Sequence, residues 1–167
     1  MAIRDALLPE FDHEMANTRK CLERIPDDRL AWRPHAKSWT FLSIGTHLAK
    51  LPHWGAKIAG TESVDMPGDG DAAWTAECHS RADILALFDV NTAAARTGIA
   101  GLDDAAMMTP WTFHYNGRVV MQMPRVAALR TLLFSHIIHH RGQFTMYLRL
   151  NDVPMPGLYG PSADEGM

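Results

Sequence analysis

The sequence has little that would tie the protein to a membrane, to nucleic acid or to an oxidising compartment. It contains no run of about 18 apolar residues, so no segment is predicted to span a bilayer. The formal net charge is -3, and the Lys and Arg residues are too scattered to follow a phosphate backbone. The two cysteines, Cys21 and Cys78, lack a paired spacing and are expected to be reduced thiols. Charged residues near the first methionine replace the apolar run of a signal peptide, so we expect a cytoplasmic protein.

The overall composition is that of an ordinary globular protein, but a few residue types are unusually frequent. The chain has 167 residues, of which 47% are hydrophobic and 21% are charged. This length is typical of one domain, residues 1–167, with a core of its own. Nine His, ten Met and five Trp stand out, and the histidines are the ones that carry chemistry.

Helical periodicity of apolar residues predicts an all-α protein with four helices of similar length, packed as a four-helix bundle. The predicted helices span 2–24, then Ser38 or Thr40 to about 59 with a kink or break at Pro52, then Ser80 to Gly101, and lastly Pro124 to about Leu150. The first of them places Leu7, Phe11, Met15, Thr18 and Leu22 on one face.

The connections between these helices carry turn signals. Residues 61–71, TESVDMPGDGD, are predicted to form a flexible surface loop. Residues 111–122 contain Asn116–Gly117 between β-prone flanks, which predicts a small β-hairpin before the last helix, or only an extended loop. The long connection of 60–79 allows an up-down-down-up order as well as a simple up-and-down order.

His136 and His140 carry the strongest chemical signal in the chain. They are four residues apart in the last predicted helix, so their side chains project from one face. Imidazole nitrogens bind zinc and similar ions at about 2.0–2.1 Å, a geometry that such a pair meets readily. A third ligand has to come from a facing helix. His47 is the best-placed candidate, because it lies in the apolar stretch FLSIGTHLAKL of the second helix.

Two alternatives stay open on these residues alone. A lone histidine on an apolar face, such as His47, is more often a hydrogen-bonded core residue than a ligand. His139 is three residues after His136, so that pair could also bind an ion, although it lies about 60° around the helix. The remaining histidines lack partner spacing and are predicted to be surface residues: His13, His35, His53, His79 and His114.

These motifs together resemble the DinB/YfiT-like superfamily. The likeness is carried by WTFLSIGTHLAKL, by SHIIHHRGQFTMYLRL and by the tail PGLYGPSADE, and it extends over nearly the whole chain. The resemblance implies a four-helix bundle, often dimeric, with zinc or nickel on three histidines, here His47, His136 and His140. Three protein ligands would leave an open position for water or substrate, the arrangement of catalytic sites. Relatives with a known activity use such a site to activate a low-molecular-weight thiol.

Three further side chains are candidates for catalysis. Glu14 could act as a general base, and Arg141 could meet an anionic substrate. The alternative is a structural ion pair between the two, and Asp12 is a second possible partner of Arg141. Gln143 could hydrogen-bond a ligand from outside the coordination sphere. Gly142 lies in mid-helix, so a closely packed neighbour is expected there.

The sequence thus predicts a divalent-metal-binding protein, and two classes of function fit it. One is a metal-dependent enzyme of the thiol-transferase or isomerase type, with a hydrolase that uses metal-activated water as its variant. The other is a non-catalytic, stress-related protein in which the ion holds helices together and a pocket binds a ligand. A small-molecule substrate and a homodimer are expected, and no nucleic-acid or membrane partner.

Overall fold

The computed structural model describes residues 1–67 and 71–166, and about 60% of the chain is helical. The α-helices are α1 (Ile3–Leu22), α2 (Phe41–Lys50), α3 (His53–Gly60), α4 (Ala72–Thr75), α5 (Arg81–Gly101), α6 (Asp104–Met108), α7 (Arg125–Ala128) and α8 (His136–Leu150). A 3-10 turn spans Asp27–Arg29, a π-helical segment spans Leu129–Ser135, and the strands are β1 (Ser63–Met66), β2 (Pro110–Tyr115) and β3 (Arg118–Pro124). No helix of the described residues is long and apolar enough to cross a membrane.

Helix α1 follows the predicted periodicity. Its five predicted inner residues are all buried, Phe11 and Leu22 completely. Helices that bury one face in this way gain most of their stability from packing rather than from intrinsic propensity. The buried face of α1 lies against α5 and α8, which places α1 behind the helix that carries His136 and His140.

The second predicted helix is broken at Pro52, as the sequence indicated. Thr40 caps α2 by accepting a hydrogen bond from the main-chain N–H of Ser43. Helix α2 approaches α5 closely at Gly45, where a Cβ atom would lie 3.0 Å from a side-chain carbon of Ile84. Asn91 of α5 donates a buried hydrogen bond to the carbonyl of Ala49. These contacts fix α2, and with it His47, against the core.

The all-α prediction is wrong in one respect, because the protein contains a three-stranded sheet in the order β1-β2-β3. The predicted hairpin is present as β2 and β3, and Asn116 and Gly117 both have positive φ, as a two-residue turn between twisted strands requires. The predicted loop of 61–71 contains β1, which pairs in parallel with β2. Residues 68–70 of that loop lie outside the described residues. The sequence pattern missed β1 because its partner strand is remote in the chain.

The last predicted helix is continuous from Arg125 to Leu150, but its hydrogen bonding changes along its length. The π-helical segment Leu129–Ser135 separates α7 from α8, and His136 is the first residue of α8. π-Helical turns are rare and occur frequently at functional sites. Asn151 ends α8, as predicted, and the tail folds back, with Asp164 bound to Arg149.

Candidate metal centre

Three imidazoles from two facing helices meet at one point of the fold. His47 lies on α2, and His136 and His140 lie one turn apart on α8. One ring nitrogen of each lies within 4.8 Å of the other two. Within residues 1–67 and 71–166, these are the three side chains that form such a cluster of potential metal ligands.

The spacing of the nitrogens suits a small divalent ion. The Nε2 atoms of His47 and His136 are 3.3 Å apart. Two nitrogens on one tetrahedral zinc ion are about 3.3 Å apart, given zinc–nitrogen bonds of about 2.0–2.1 Å. The ring of His140 lies 4.5 Å from that of His47 and 4.8 Å from that of His136, centre to centre. The three residues therefore fit a metal ion with small changes in side-chain torsion.

Burial favours the neutral form of the three imidazoles, which is the form that binds a cation. The pKa of His47 is lowered to about 3, mainly by burial, with further contributions from His140, His136 and Lys50. Burial also lowers the pKa of His136 and that of His140. Neutral imidazole is the form that binds a metal, so the ligands need not lose protons at neutral pH.

Gln143 orients one of the three imidazoles. Its side-chain oxygen lies 2.8 Å from Nδ1 of His140 and accepts a hydrogen bond from that nitrogen. The proton on Nδ1 leaves the lone pair on Nε2, which is the usual arrangement behind a metal-ligating histidine. His139 is exposed on the neighbouring face of α8 and is not part of the cluster.

Trp39 forms a wall that the sequence pattern did not identify. It lies in the loop before α2. Its ring stacks on His140 at 5.4 Å and contacts His47 at 4.8 Å, while 45% of the residue stays exposed. Trp54, seven residues after His47, packs against Trp74 and Phe113 of β2. No local periodicity predicts a contact made from a loop.

Two grooves open beside the cluster, one on each side of Trp39. The first, which we call the Gln143 groove, has a volume of about 470 Å³, reaches His140, and is lined also by Lys37, Ser38, Trp39, Ile44, Gln143, Met146 and Tyr147. The second, the Lys50 groove, has a volume of about 490 Å³, reaches His47, and is lined among others by Trp39, Ser43, Thr46, Lys50, Glu77 and Cys78. Small molecules thus have access to the cluster from two directions.

Glu14 and Arg141 form the buried ion pair that the sequence suggested as an alternative to catalysis. Their side chains are 6% and 2% exposed, and Arg141 also donates to the main-chain carbonyl of Glu14 and to Thr18. Tyr159 of the tail hydrogen-bonds both charged groups. Asp12, the other possible partner, pairs with Arg96 instead. None of the lining residues of the two grooves belongs to this pair, so the placement favours a structural role for it.

The remaining histidines lie outside the cluster, and two of them are less exposed than predicted. His13, His35 and His79 are exposed, as expected, whereas His114, on β2, is partly buried. The side chain of His53, however, is only 14% exposed, and its Nε2 atom lies 2.9 Å from a carboxylate oxygen of Asp71. The short helix that follows Asp71 folds over His53, and composition alone gave no sign of it.

The comparisons with known proteins agree with this architecture. The family model of the DinB superfamily matches residues 10–144. An uncharacterised Bacillus subtilis protein, YrdA, is 25% identical in an alignment of 171 positions that covers 96% of this chain and 90% of that protein. A DinB-like protein from Bacillus cereus superposes with a TM-score of 0.73 at 23% identity, covering 95% of this chain and 98% of its own. A second DinB-like structure, YjoA from Bacillus subtilis, gives a TM-score of 0.70 at 16% identity, covering 90% and 95%. The chain therefore belongs to the DinB superfamily.

Proposed function

We propose that this protein is a metal-dependent enzyme in which His47, His136 and His140 hold one zinc or nickel ion at the centre of a four-helix bundle. The observation that carries the proposal is the convergence of three imidazole nitrogens within 4.8 Å. Three neutral ligands leave the ion its full double charge and an open position, which stabilises a thiolate or a hydroxide at neutral pH. The four predicted helical segments, with the second broken at Pro52, form the proposed bundle.

We infer that the substrate of this site is a low-molecular-weight thiol, which reacts with an electrophile in a transfer or an isomerisation. In a transfer the sulfur forms a bond to carbon, the thiol proton goes to solvent, and the leaving group departs. In an isomerisation the thiol is released unchanged. The residues of the chain bind and orient: Gln143 fixes the tautomer of His140, and Trp39 separates the two approaches to the cluster. A cytoplasmic location, which suits the free thiols of Cys21 and Cys78, is part of the proposal.

The test is a panel of glutathione, bacillithiol, mycothiol and cysteine against chlorinated aromatics and maleyl-type acids. Protein purified without a metal-affinity tag is compared in its metal-loaded and chelated forms. We expect at least one pair to react, and only with loaded protein. His139→Ala is the matched control for His140→Ala, because it removes a neighbouring imidazole from outside the cluster. Reaction by chelated protein at the same rate would contradict the proposal, and hydrolysis of an ester panel without any thiol would favour the hydrolase variant.

The non-catalytic alternative makes a different prediction for the chelated protein. If the ion mainly holds α2 and α8 together, its removal should unfold the helices. The core includes Phe11, Phe41 and Phe144, each fully buried, and a domain of this length folds on such a core without a metal. We therefore expect the circular dichroism of chelated protein to keep its helical signal. Loss of that signal on chelation would favour the structural role.

A further inference from the structure

The two grooves differ in their charged and polar side chains, and this difference affects which molecules each groove can bind. The Gln143 groove is lined by aromatic and thioether groups, with Lys37 exposed at its edge. The Lys50 groove combines one half-buried ammonium group with two side-chain hydroxyls, those of Ser43 and Thr46. The Gln143 groove also has hydroxyl groups, on Ser38 and Tyr147, so the difference lies in the lysines: Lys50 is half-buried, whereas Lys37 is exposed.

The side chain of Lys50 is held in place where it lines the Lys50 groove. It lies three residues after His47 on α2, and residues with this spacing are neighbours on one helix face. Its Nζ atom donates to the main-chain carbonyl of Trp74 at 2.7 Å, which fixes the long side chain. Among the described residues no carboxylate lies within 4.0 Å of that nitrogen. An ammonium group has three hydrogens, so donors remain for a bound anion.

Glu77, the acidic side chain that lines this groove, does not cancel the charge of Lys50. Glu77 lies on the rim with 83% of its side chain exposed, and its closest basic neighbour is His79 at 4.0 Å. An exposed carboxylate is strongly screened by water, whereas the half-buried ammonium group of Lys50 is screened less. Cys78, deeper in the groove, keeps its proton because burial raises the pKa of its thiol. Among the side chains that line the groove, the ammonium group of Lys50 is thus the charge that water screens least, while the exposed carboxylate of Asp83 acts on Cys78 from outside the lining.

We propose that the Lys50 groove is a carboxylate subsite: Lys50, Ser43 and Thr46 hold a carboxylate of the same molecule that presents its thiol to the cluster. This inference rests on the proposed function, and it adds which groove takes the thiol and by which group. The electrophile then enters through the Gln143 groove, on the other side of Trp39. Lys50 is in this view a specificity-determining residue, because a thiol without a carboxylate gains nothing from it.

The test compares two thiols of equal chain length, 3-mercaptopropionate and 3-mercapto-1-propanol, on cobalt-loaded protein. The near-ultraviolet absorption of cobalt–thiolate contacts gives the dissociation constant of each. We expect the carboxylate thiol to bind about tenfold more tightly, the size of a charge-assisted hydrogen bond. Lys50→Gln should remove this preference while keeping a donor for the Trp74 carbonyl. Lys50→Arg should retain the preference, and so should Lys37→Gln, the matched control in the other groove.

The outcomes separate the two proposals. Absence of an absorption band with either thiol contradicts the proposed function, and this inference falls with it. If both thiols give bands, and the carboxylate thiol is preferred by the same factor in the wild type and in Lys50→Gln, only the carboxylate subsite is overturned. The carboxylate would then be recognised by the metal itself.

Nuclear magnetic resonance of zinc-loaded protein gives a second test, which needs no variants. The carboxylate thiol should shift the amide signals of Thr46, Lys50 and Cys78 more than the alcohol does, and shifts confined to Gln143 and Met146 would contradict the proposal.

Discussion

Single residues decide which imidazoles belong to the cluster. His139 and His140 are adjacent in the chain, but only His140 has its ring at the cluster, where Gln143 holds it. We predict that His140→Ala loses stoichiometric metal and that His139→Ala keeps it, because a single lost ligand weakens a three-ligand site strongly. Elemental analysis of untagged, dialysed protein measures this. Full occupancy in the His140→Ala protein, or loss in the His139→Ala protein, would rule out the ligand set.

The three clustered histidines, His47, His136 and His140, predict how the stability of the metal-free protein depends on pH. Their pKa values in the folded protein lie below 6.5, the value of an unperturbed imidazole, so the unfolded chain binds more protons once the pH falls below about 6.5. The contribution of these histidines to stability is therefore fully present above that pH, and it declines as the pH falls toward their pKa values in the folded protein. Each histidine contributes at most about 1.4 kcal/mol per pH unit.

Urea unfolding of chelated protein between pH 7.5 and 5 checks this dependence, because carboxylates, with pKa values of about 4 when unperturbed, contribute little in that window. His47→Gln should decline less steeply than the wild type, whereas His35→Gln, which removes an exposed histidine, should not differ from it. Equal slopes for all three proteins would mean that His47 is not held neutral by its surroundings.

At the scale of the elements, the tail and the first helix are joined to α8 by a buried ion pair. Arg141 reaches Glu14 of α1 and Tyr159 of the tail, and it directly follows His140. Removing one partner of a buried pair leaves an uncompensated charge, so Arg141→Ala should lower the free energy of unfolding by about 3–5 kcal/mol. Arg96→Ala removes a half-exposed pair with Asp12 and should lower the free energy of unfolding far less, because exposed ion pairs contribute little.

Chemical denaturation of the two variants tests this difference. Tyr159→Phe removes one hydroxyl from the same network and should cost about 1 kcal/mol. If Arg141→Ala were no more destabilising than Arg96→Ala, the Glu14–Arg141 pair would contribute nothing to the attachment of α1 to α8, and a catalytic role for Glu14 would regain weight.

Elements whose signals are local were predictable from the sequence. The inner face of α1, the caps at Thr40 and Ser80, the break at Pro52 and the turn at Asn116 each depend on residues a few positions apart. The spacing of His136 and His140 predicted their shared face in the same way. What was missed depends on remote contacts: β1 needs β2 as its partner, Trp39 reaches the cluster from a loop, and the π-helical segment has no proline or glycine to mark it. The prediction of a closely packed neighbour at Gly142 is wrong, because a Cβ atom there would meet nothing within 4 Å.

At the scale of the whole molecule, we predict a homodimer. Several large apolar side chains remain exposed, among them Val119 and Val120 on β3, which has β2 on one side only in the described sheet. In the tail, Tyr159 is 66% exposed although its hydroxyl is bound to a buried pair, and Leu158 lies next to it. Isologous pairing is the commonest way to cover such surfaces. Sedimentation at micromolar concentration should give a mass of twice 18.6 kDa, and a mass of 18.6 kDa would contradict the dimer.

The location of the metal ion is the point on which the proposed function depends most directly. Crystals of zinc-loaded, untagged protein, measured on both sides of the zinc absorption edge, locate the ion without any assumption about activity. We predict one anomalous peak about 2.0–2.1 Å from a ring nitrogen of each of His47, His136 and His140, with no fourth protein ligand. A peak at His139, a peak beside His53 and Asp71, or a fourth side chain that closes the coordination sphere would contradict the proposed site.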